Sequence, residues 1–191
     1  MRGVALLLLV ASAALEWSGP LHAQTRAIPV VGFLSTASPA SRGGEQLAAF
    51  HGGLRQEGYT EGENVRIEYR WANDDYGRLH TLAKELVALR VAVIVAAGGH
   101  VSALAAHDLT KEIPISFTTV TDPVKSGLVK SLNHPGGNAT GTAGLTSELD
   151  PKRLELLYAM KSSAAVVGVL INPNRPGSRF NYATCGQRLI G

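Results

Sequence analysis

The sequence predicts an α/β fold, a doubly wound parallel sheet with helices on both faces, and three observations favour it. Residues 91–97 are apolar without alternation, which is typical of a strand buried on both faces of a parallel sheet. Residues 28–34 form a second apolar run of the same kind. Strand-like and helix-like segments then alternate along the chain, as right-handed β-α-β crossovers require.

The first half of the chain divides into elements by its apolar periodicity. After strand 28–34, a helix is predicted from about residue 42 to residue 57, with one apolar stripe: Leu47, Phe50 and Leu54. Residues 65–71 alternate between apolar and polar, which predicts a half-exposed strand near a sheet edge. A helix over 76–89 follows, with an apolar face of Leu79, Leu82, Ala83 and Leu86. It leads into strand 91–97.

The second half continues the alternation. A helix is predicted from Val101 to about Leu109, then strands over 113–118 and 139–145, and a further apolar strand over 164–171. Two aspartate-proline pairs have the form of a helix N-cap followed by proline at the first helical position. Asp122-Pro123 predicts a helix with this buried side: Val124, Leu128 and Leu132. Asp150-Pro151 predicts a helix with this apolar face: Leu154, Leu157 and Tyr158.

The N-terminus predicts export from the cytoplasm. Residues 1–23 combine a charged start, an apolar stretch and a polar break at Gly19-Pro20, which is the pattern of a secretory signal peptide. No cysteine lies directly after the apolar stretch, so a lipoprotein is not expected. Cys185 is the only cysteine and has no partner for an internal disulfide. A chain stabilised by its core rather than by disulfides fits the periplasm.

Charge and motifs exclude several classes of function. The net charge of +3 is too mild to indicate nucleic-acid binding. The sequence contains neither the glycine fingerprint of dinucleotide-binding folds nor the phosphate-loop, nucleophile-elbow or zinc-protease motif. The histidines are dispersed, and the adjacent Asp74 and Asp75 suit a solvated turn and a helix cap. We therefore expect no catalytic residue, no metal site and no cofactor.

Polar turns after successive strands are the candidate site. In a parallel sheet the turns at the carboxyl ends converge on one edge, where such folds bind ligands. Hydroxyls, exposed backbone N–H groups and helix N-termini suit a small anionic group such as a carboxylate. Each turn taken alone is equally well an ordinary cap or connection. The predicted ligand-binding residues are Ser35, Thr36, Gly98, Gly99, His100, Thr121, Asp122, Asn172 and Asn174.

Three residues have two interpretations each. Asp122 suits contact with a ligand amine, but an N-cap before proline is a sufficient structural reason for its presence. His100 suits either donation to a ligand or the start of a helix. Trp71 suits stacking on a ligand, although after an edge strand a side chain that covers the core is the favoured interpretation.

Several longer motifs resemble one family of proteins. They are Val30–Ser35 (VVGFLS), Gly58–Val65 (GYTEGENV), Ile67–Trp71 (IEYRW), Thr121–Val124 (TDPV), Leu132–Gly141 (LNHPGGNATG) and Lys152–Leu157 (KRLELL). These segments resemble the ABC transporter substrate-binding protein family that includes tryptophan- and tyrosine-binding members. The resemblance runs from about residue 28 to residue 176.

The resemblance implies a type I periplasmic-binding fold, in which two α/β lobes close on a small solute. It implies capture of an amino-acid-like solute, such as an aromatic amino acid or a related compound, and its delivery to an ABC permease in the inner membrane. Ligand contacts in the family come from turns after strands in both lobes. Asn172 and Asn174 then belong to the second lobe. Carried over by position, the contacts in the first lobe are Ser35, Thr36, Gly98, Gly99, His100, Thr121 and Asp122.

The chain departs from the family at two places. His100 stands where relatives carry a small hydroxyl residue, so the ligand is expected to differ or to bind weakly. The family pattern continues well beyond Asn174, whereas residues 179–191 have no periodic apolar face. We therefore expect a first lobe over 28–145, the start of a second lobe over 146–178, an aberrant or truncated tail over 179–191, and impaired solute binding.

Two other functions remain open from the sequence. An exported α/β enzyme would use the same strand-end turns, with His100 and Asp122 as acid or base. A ligand-sensing domain of a regulator shares this fold, but the sequence shows neither a helix-turn-helix nor a transmembrane signalling helix.

Overall fold

Five parallel strands form the centre of the molecule. The computed structural model describes residues 27–41 and 43–161, together with residues 168 and 172. Its strands are β1 (Val30–Ser35), β2 (Arg66–Trp71), β3 (Val93–Ala97), β4 (Ile115–Thr119) and β5 (Ala139–Ala143). They are ordered β2-β1-β3-β4-β5, and each neighbouring pair is parallel. The predicted parallel α/β sheet is confirmed.

Three helices connect the first four strands, and a fourth helix follows β5. They are α1 (Gly43–Gln56), α2 (Leu79–Ala88), α3 (His100–His107) and α4 (Asp150–Met160), with short 3₁₀ turns at Tyr76–Arg78 and Thr146–Leu149. Across the part of the chain that the structure describes, none of these helices is long and apolar enough to cross a membrane.

The larger core lies between the sheet and two helices. The strands contribute Leu34, Ile94, Ala96, Ile115 and Phe117, and the helices contribute Leu79, Leu82, Ala83, Leu86, Ala103 and Ala106. The predicted apolar face of α2 is therefore confirmed residue by residue. Ile94 and Ile115 are fully buried, because β3 and β4 lie inside the sheet and α3 covers them.

The smaller core covers the opposite face under α1. Val31, Phe33 and Ile67 from the sheet pack against the predicted stripe of α1: Leu47, Phe50 and Leu54. Strand β2 is at the sheet edge, as its alternation predicted.

The prediction that 91–97 is buried on both faces is only partly right. Val93 and Val95 are half-buried, because α1 lies over β1 and β2 and leaves this face of β3 partly open.

The prediction of a helix after Asp122-Pro123 is wrong. Residues 122–130 form a series of turns instead. The capping part of the prediction holds locally, because Asp122 Oδ1 accepts hydrogen bonds from the N–H groups of Val124 (2.8 Å) and Lys125 (3.2 Å). Gly127 then adopts a φ of 76°, which ends the helical turn. The buried residues are the adjacent Leu128 and Val129, whereas Val124 and Leu132 are exposed.

The helix after Asp150-Pro151 exists, but its details differ from the prediction. Asp150 is the first residue of α4 rather than its cap, and its carboxylate pairs with Arg153 at 2.9 Å. The predicted apolar face is not buried, since Leu157 and Tyr158 are more than half exposed. The reason is that the described part of the chain places no sheet against this helix. The predicted segments at 1–23 and 179–191, and the strand over 164–171 apart from residue 168, lie outside the described residues.

Asn138 joins the start of β5 to the connection before β4. Its Nδ2 donates to the carbonyl oxygens of Thr110 (3.0 Å) and Ile113 (2.8 Å). We expect Asn138→Ala to lower the free energy of unfolding by about 1–2 kcal/mol, because two part-buried carbonyl groups lose a donor. Urea denaturation measures this. Asn133→Ala, at an exposed position in the same segment, is the control. Equal midpoints for the two variants would contradict the prediction.

Candidate functional site

The ends of β1 and β3 meet at the carboxyl edge of the sheet. Ser35 is paired with Ala97 in the strand register. The Thr36 N–H donates to the Ala97 carbonyl oxygen at 3.4 Å, and Thr36 Oγ1 donates to the Gly98 carbonyl oxygen at 3.3 Å. Ser35 and Thr36 are both buried. Two of the predicted turns are therefore joined directly, although 62 positions separate them in sequence.

Gly98 is required by this contact. A Cβ atom at this position would lie 2.1 Å from Thr36 Oγ1 and 2.9 Å from the Thr36 nitrogen. Its φ of 99° is also unfavourable for any residue with a side chain. Gly99 has a similar φ of 101° and precedes the first residue of α3. The two glycines let the chain leave β3 close against the Thr36 turn.

The N-terminus of α3 begins beside this contact. His100 is its first residue and is half-buried. Ser102, which the sequence did not single out, is fully buried, and its hydroxyl lies within reach of the carbonyl oxygens of Ala97 (3.1 Å) and Gly99 (2.9 Å). Serine hydroxyls often donate to backbone carbonyl oxygens a few residues earlier in the chain, so a serine near the start of a helix is the sequence signal for this role. The unpaired N–H groups of a helix N-terminus attract a negatively charged group.

The turn after β4 is built by local hydrogen bonds. The hydroxyls of Thr119 and Thr121 lie 2.9 Å apart, and the Thr121 N–H donates to Thr119 Oγ1 at 3.1 Å. Because β4 is parallel to β3 and pairs with it, this turn stands at the same sheet edge as Gly98. Thr121 and Asp122 are half-buried. The hydrogen bonds that Asp122 accepts from Val124 and Lys125 confirm that it is a cap. Its contact with a ligand stays a prediction.

The loop after β2 also belongs to this edge, and the sequence did not predict it. The Asp74 N–H donates to the Thr36 carbonyl oxygen at 2.7 Å, and the Asn73 N–H donates to that of Ala37 at 3.3 Å. Both loop residues have positive φ, 53° at Asn73 and 61° at Asp74, which asparagine and aspartate tolerate best among residues with side chains. A cavity of about 440 Å³ lies against this loop and the following residues, Asn73–Gly77.

The two candidates of the proposed second wall stay predictions. Asn172 is exposed, and Asn174 lies outside the described residues. Asp75 caps the 3₁₀ turn through Gly77 N–H at 3.0 Å, as predicted. Among the described residues, no three His, Cys, Asp or Glu side chains cluster in a way that could hold a metal ion.

An aromatic cluster lies beside the site, on the α1 face of the sheet. The ring of Phe33 lies 5.8 Å from that of Tyr69 and 5.5 Å from that of Trp71. Trp71 is half-buried and packs in the smaller core, as the favoured interpretation held. Burial, and then the hydrogen bond to Glu61, raises the pKa of Tyr69 well above its ordinary value. The phenol keeps its proton and donates it to Glu61 Oε2 at 2.9 Å.

Comparisons with known proteins place this geometry in context. Residues 43–183 match the family model described as ABC transporter substrate binding protein. A curated relative, a Tyrosine-binding protein from Clostridioides difficile (strain R20291), is 39% identical over 127 residues. This match covers 66% of the chain and 36% of the relative, so the chain spans little more than a third of that protein's length.

Solved structures show the same similarity. The ligand-free, open structure of a substrate binding protein with adhesive properties from Clostridium difficile is 29% identical, with a TM-score of 0.61. The match covers 85% of this chain and 54% of that one. An ABC domain in complex with L-Trp from Streptococcus pneumonia is 25% identical, with a TM-score of 0.66, and the match covers 82% of this chain and 52% of that one.

Proposed function

The chain belongs to the ABC transporter substrate-binding protein family, and we propose that it is the solute-binding component of an ABC importer. The carboxyl edge of the sheet is the proposed binding surface. The observation that carries the proposal is the contact between the Thr36 and Gly98 turns. It brings backbone groups, hydroxyls and a helix N-terminus together where parallel α/β sheets bind ligands.

The proposed solute is a small amino-acid-like molecule. A carboxylate suits the N-terminus of α3, because the backbone N–H groups of its first turn carry partial positive charge. Thr121 and Asp122 supply a hydroxyl and a carboxylate for the polar end of the solute. Two relatives support the class: one is named for binding tyrosine, and the other is solved in complex with L-Trp.

We also propose how the chain is divided and where it works. Residues 28–145 form the first lobe, and residues 146–178 begin a second lobe that contributes Asn172 and Asn174 to the opposite wall. Exposed apolar side chains on α4 support this division, because they need a sheet to cover them: Leu156, Leu157 and Met160. An extracytoplasmic location is typical of the family. Export to the periplasm by residues 1–23 and delivery to an inner-membrane permease complete the proposal.

The family and the curated relative point to a binding protein rather than an enzyme. An acid-base role for His100 and Asp122 is not favoured by these comparisons. A ligand-sensing domain of a regulator is likewise not favoured by these comparisons.

Amide chemical shifts of the 191-residue chain test the proposal, because they detect weak as well as tight binding. We expect L-tyrosine at millimolar concentration to shift the amide signals of Thr36, Gly98, Gly99 and His100. Tyramine, which lacks the carboxylate, is the matched control and should shift the α3 residues far less. If a panel of amino acids shifts no signals, or shifts signals only at the amino ends of the strands, the proposed site is wrong.

A further inference from the structure

We propose that Ser102 is a positioning residue of the site. Its hydroxyl holds the turn after β3 so that the N–H groups of Gly98 and Gly99 bind the carboxylate of the solute. The inference rests on the proposed function and deepens it, because it names the donors and the side chain that aligns them. Ser102 is fully buried, so its effect on binding passes through the backbone of the turn rather than through contact with the solute.

Three successive carbonyl groups in the turn after β3 are held by hydrogen bonds. The Ala97 carbonyl oxygen accepts from the Thr36 N–H at 3.4 Å, and the Gly98 carbonyl oxygen accepts from Thr36 Oγ1 at 3.3 Å. The Ser102 hydroxyl lies 2.9 Å from the Gly99 carbonyl oxygen and 3.1 Å from that of Ala97. Because a hydroxyl has one proton, these two carbonyl groups share it. Two residues, Thr36 and Ser102, therefore fix the orientation of the whole turn.

The N–H groups of the same peptides point the opposite way. The described peptide bonds are trans, and in a planar trans peptide the N–H group is directed away from the carbonyl oxygen. The Ala97 carbonyl faces Thr36 on the β1 side of β3, so the Gly98 N–H faces the β4 side. The Gly98 carbonyl faces Thr36 Oγ1, so the Gly99 N–H is also directed away from Thr36.

These two N–H groups are available to a ligand. In the part of the chain that the structure describes, neither the Gly98 nor the Gly99 N–H donates a hydrogen bond. Both glycines are half-buried, and a backbone donor that is withdrawn from bulk water needs water or a ligand as its partner. A carboxylate has two acceptor oxygens, which suit two neighbouring donors. Helix α3 begins at the next residue, and its N-terminus adds a favourable potential for an anion.

The turn depends on Ser102 because glycine does not restrain it. Gly98 and Gly99 have no side chains, so the backbone at these positions has wide conformational freedom. Hydrogen bonds to the carbonyl groups supply the missing restraint. Ser102 bonds to the first and third carbonyl groups, and it therefore holds the turn on both sides of the peptide that carries the Gly99 N–H. Donors that are aligned before binding lose little conformational entropy when the solute arrives.

Affinities for a matched pair of solutes test the inference in the 191-residue chain. We expect Ser102→Ala to lower the affinity for L-tyrosine about fivefold and to leave that for tyramine, which lacks the carboxylate, within about twofold. Ser102→Cys retains a weak donor and should lose less. Ser131→Ala is the control, because it removes a hydroxyl that donates to the His134 carbonyl oxygen at 3.1 Å, and it should leave both affinities unchanged.

The pattern of losses separates the outcomes. A merely structural role for Ser102 would lower both affinities equally, and this result, or no loss for either solute, would overturn the inference. Absence of binding by the unmodified chain would instead overturn the proposed function itself, and this inference with it.

Amide proton signals provide a measurement on the unmodified chain, in case Ser102→Ala fails to fold. L-Tyrosine should move the Gly98 and Gly99 amide protons downfield and slow their hydrogen exchange, because a carboxylate then accepts from them. Tyramine should do neither. If L-tyrosine shifts the Thr36 and His100 signals while the Gly98 and Gly99 amide protons keep their shifts and exchange rates, the donors are wrong and the inference fails, although the proposed site stands.

Discussion

Gly98→Ala is expected to abolish solute binding and to lower the free energy of unfolding by about 1–3 kcal/mol. The new methyl group would lie 2.1 Å from Thr36 Oγ1 and 2.9 Å from the Thr36 nitrogen, so backbone as well as side chain must move. The φ of 99° adds backbone strain. L-Tyrosine titration and urea denaturation measure the two effects, and hydrogen exchange of the Thr36 amide reports the displaced turn independently of any solute.

A matched variant separates strain from collision. Gly62 has a similar φ of 86°, but a Cβ there would meet no atom within 4 Å. Gly62→Ala should therefore cost about 1 kcal/mol of stability and leave solute affinity unchanged. Adding Thr36→Ala to Gly98→Ala removes the nearest colliding atom and should restore part of the lost stability. If Gly98→Ala binds L-tyrosine as the unmodified chain does, the Thr36–Gly98 contact is not part of the site.

Gly141→Ala is expected to cost about 3 kcal/mol or more, the largest loss of stability predicted here for a single methyl group. Gly141 is paired with Phe117 across β5 and β4. A Cβ at Gly141 would lie 2.0 Å from the Phe117 carbonyl oxygen and 2.8 Å from its ring. Relief requires β5 to move away from β4, which breaks hydrogen bonds of the ladder. Urea denaturation, followed by circular dichroism, measures the loss.

Gly53→Ala is the control for this variant. Gly53 lies within α1, and a Cβ there would meet no atom within 4 Å. Alanine is the better helix former, so the substitution should raise the free energy of unfolding by about 0.5–1 kcal/mol. Opposite signs for the same glycine-to-alanine change would establish that the environment of Gly141 is the cause. A Gly141→Ala midpoint equal to that of the unmodified chain would contradict the packing described for β5.

Apolar periodicity predicted the fold wherever the period and the burial agree. The stripe Leu79, Leu82, Ala83 and Leu86 is buried as expected because α2 lies flat on the sheet. Periodicity failed at 122–132, where Val124, Leu128 and Leu132 have helical spacing. There a single glycine at positive φ changes the chain direction, and the spacing of apolar residues cannot reveal a glycine's backbone angle.

Part of the site could also be predicted from the strand assignments. Turns at the carboxyl ends of parallel strands converge, so Thr36 and Gly98 could be placed together from the strand assignments alone. The closeness of the two turns, which leaves no space for a Cβ atom at Gly98, could not be predicted, since it depends on the path of both turns. Trp71 packs against the smaller core, as the sequence favoured for a large side chain after an edge strand.

The hydrogen bond between Thr36 and Gly98 also bears on how the chain folds. It joins residues 62 positions apart and encloses α1, β2, α2 and β3, and such non-local contacts form late because the entropy of loop closure opposes them. The proposed site therefore cannot exist in a nascent chain until β3 has been synthesised and has paired with β1. In refolding, the recovery of solute binding should follow the docking of this central strand pair rather than the formation of the helices.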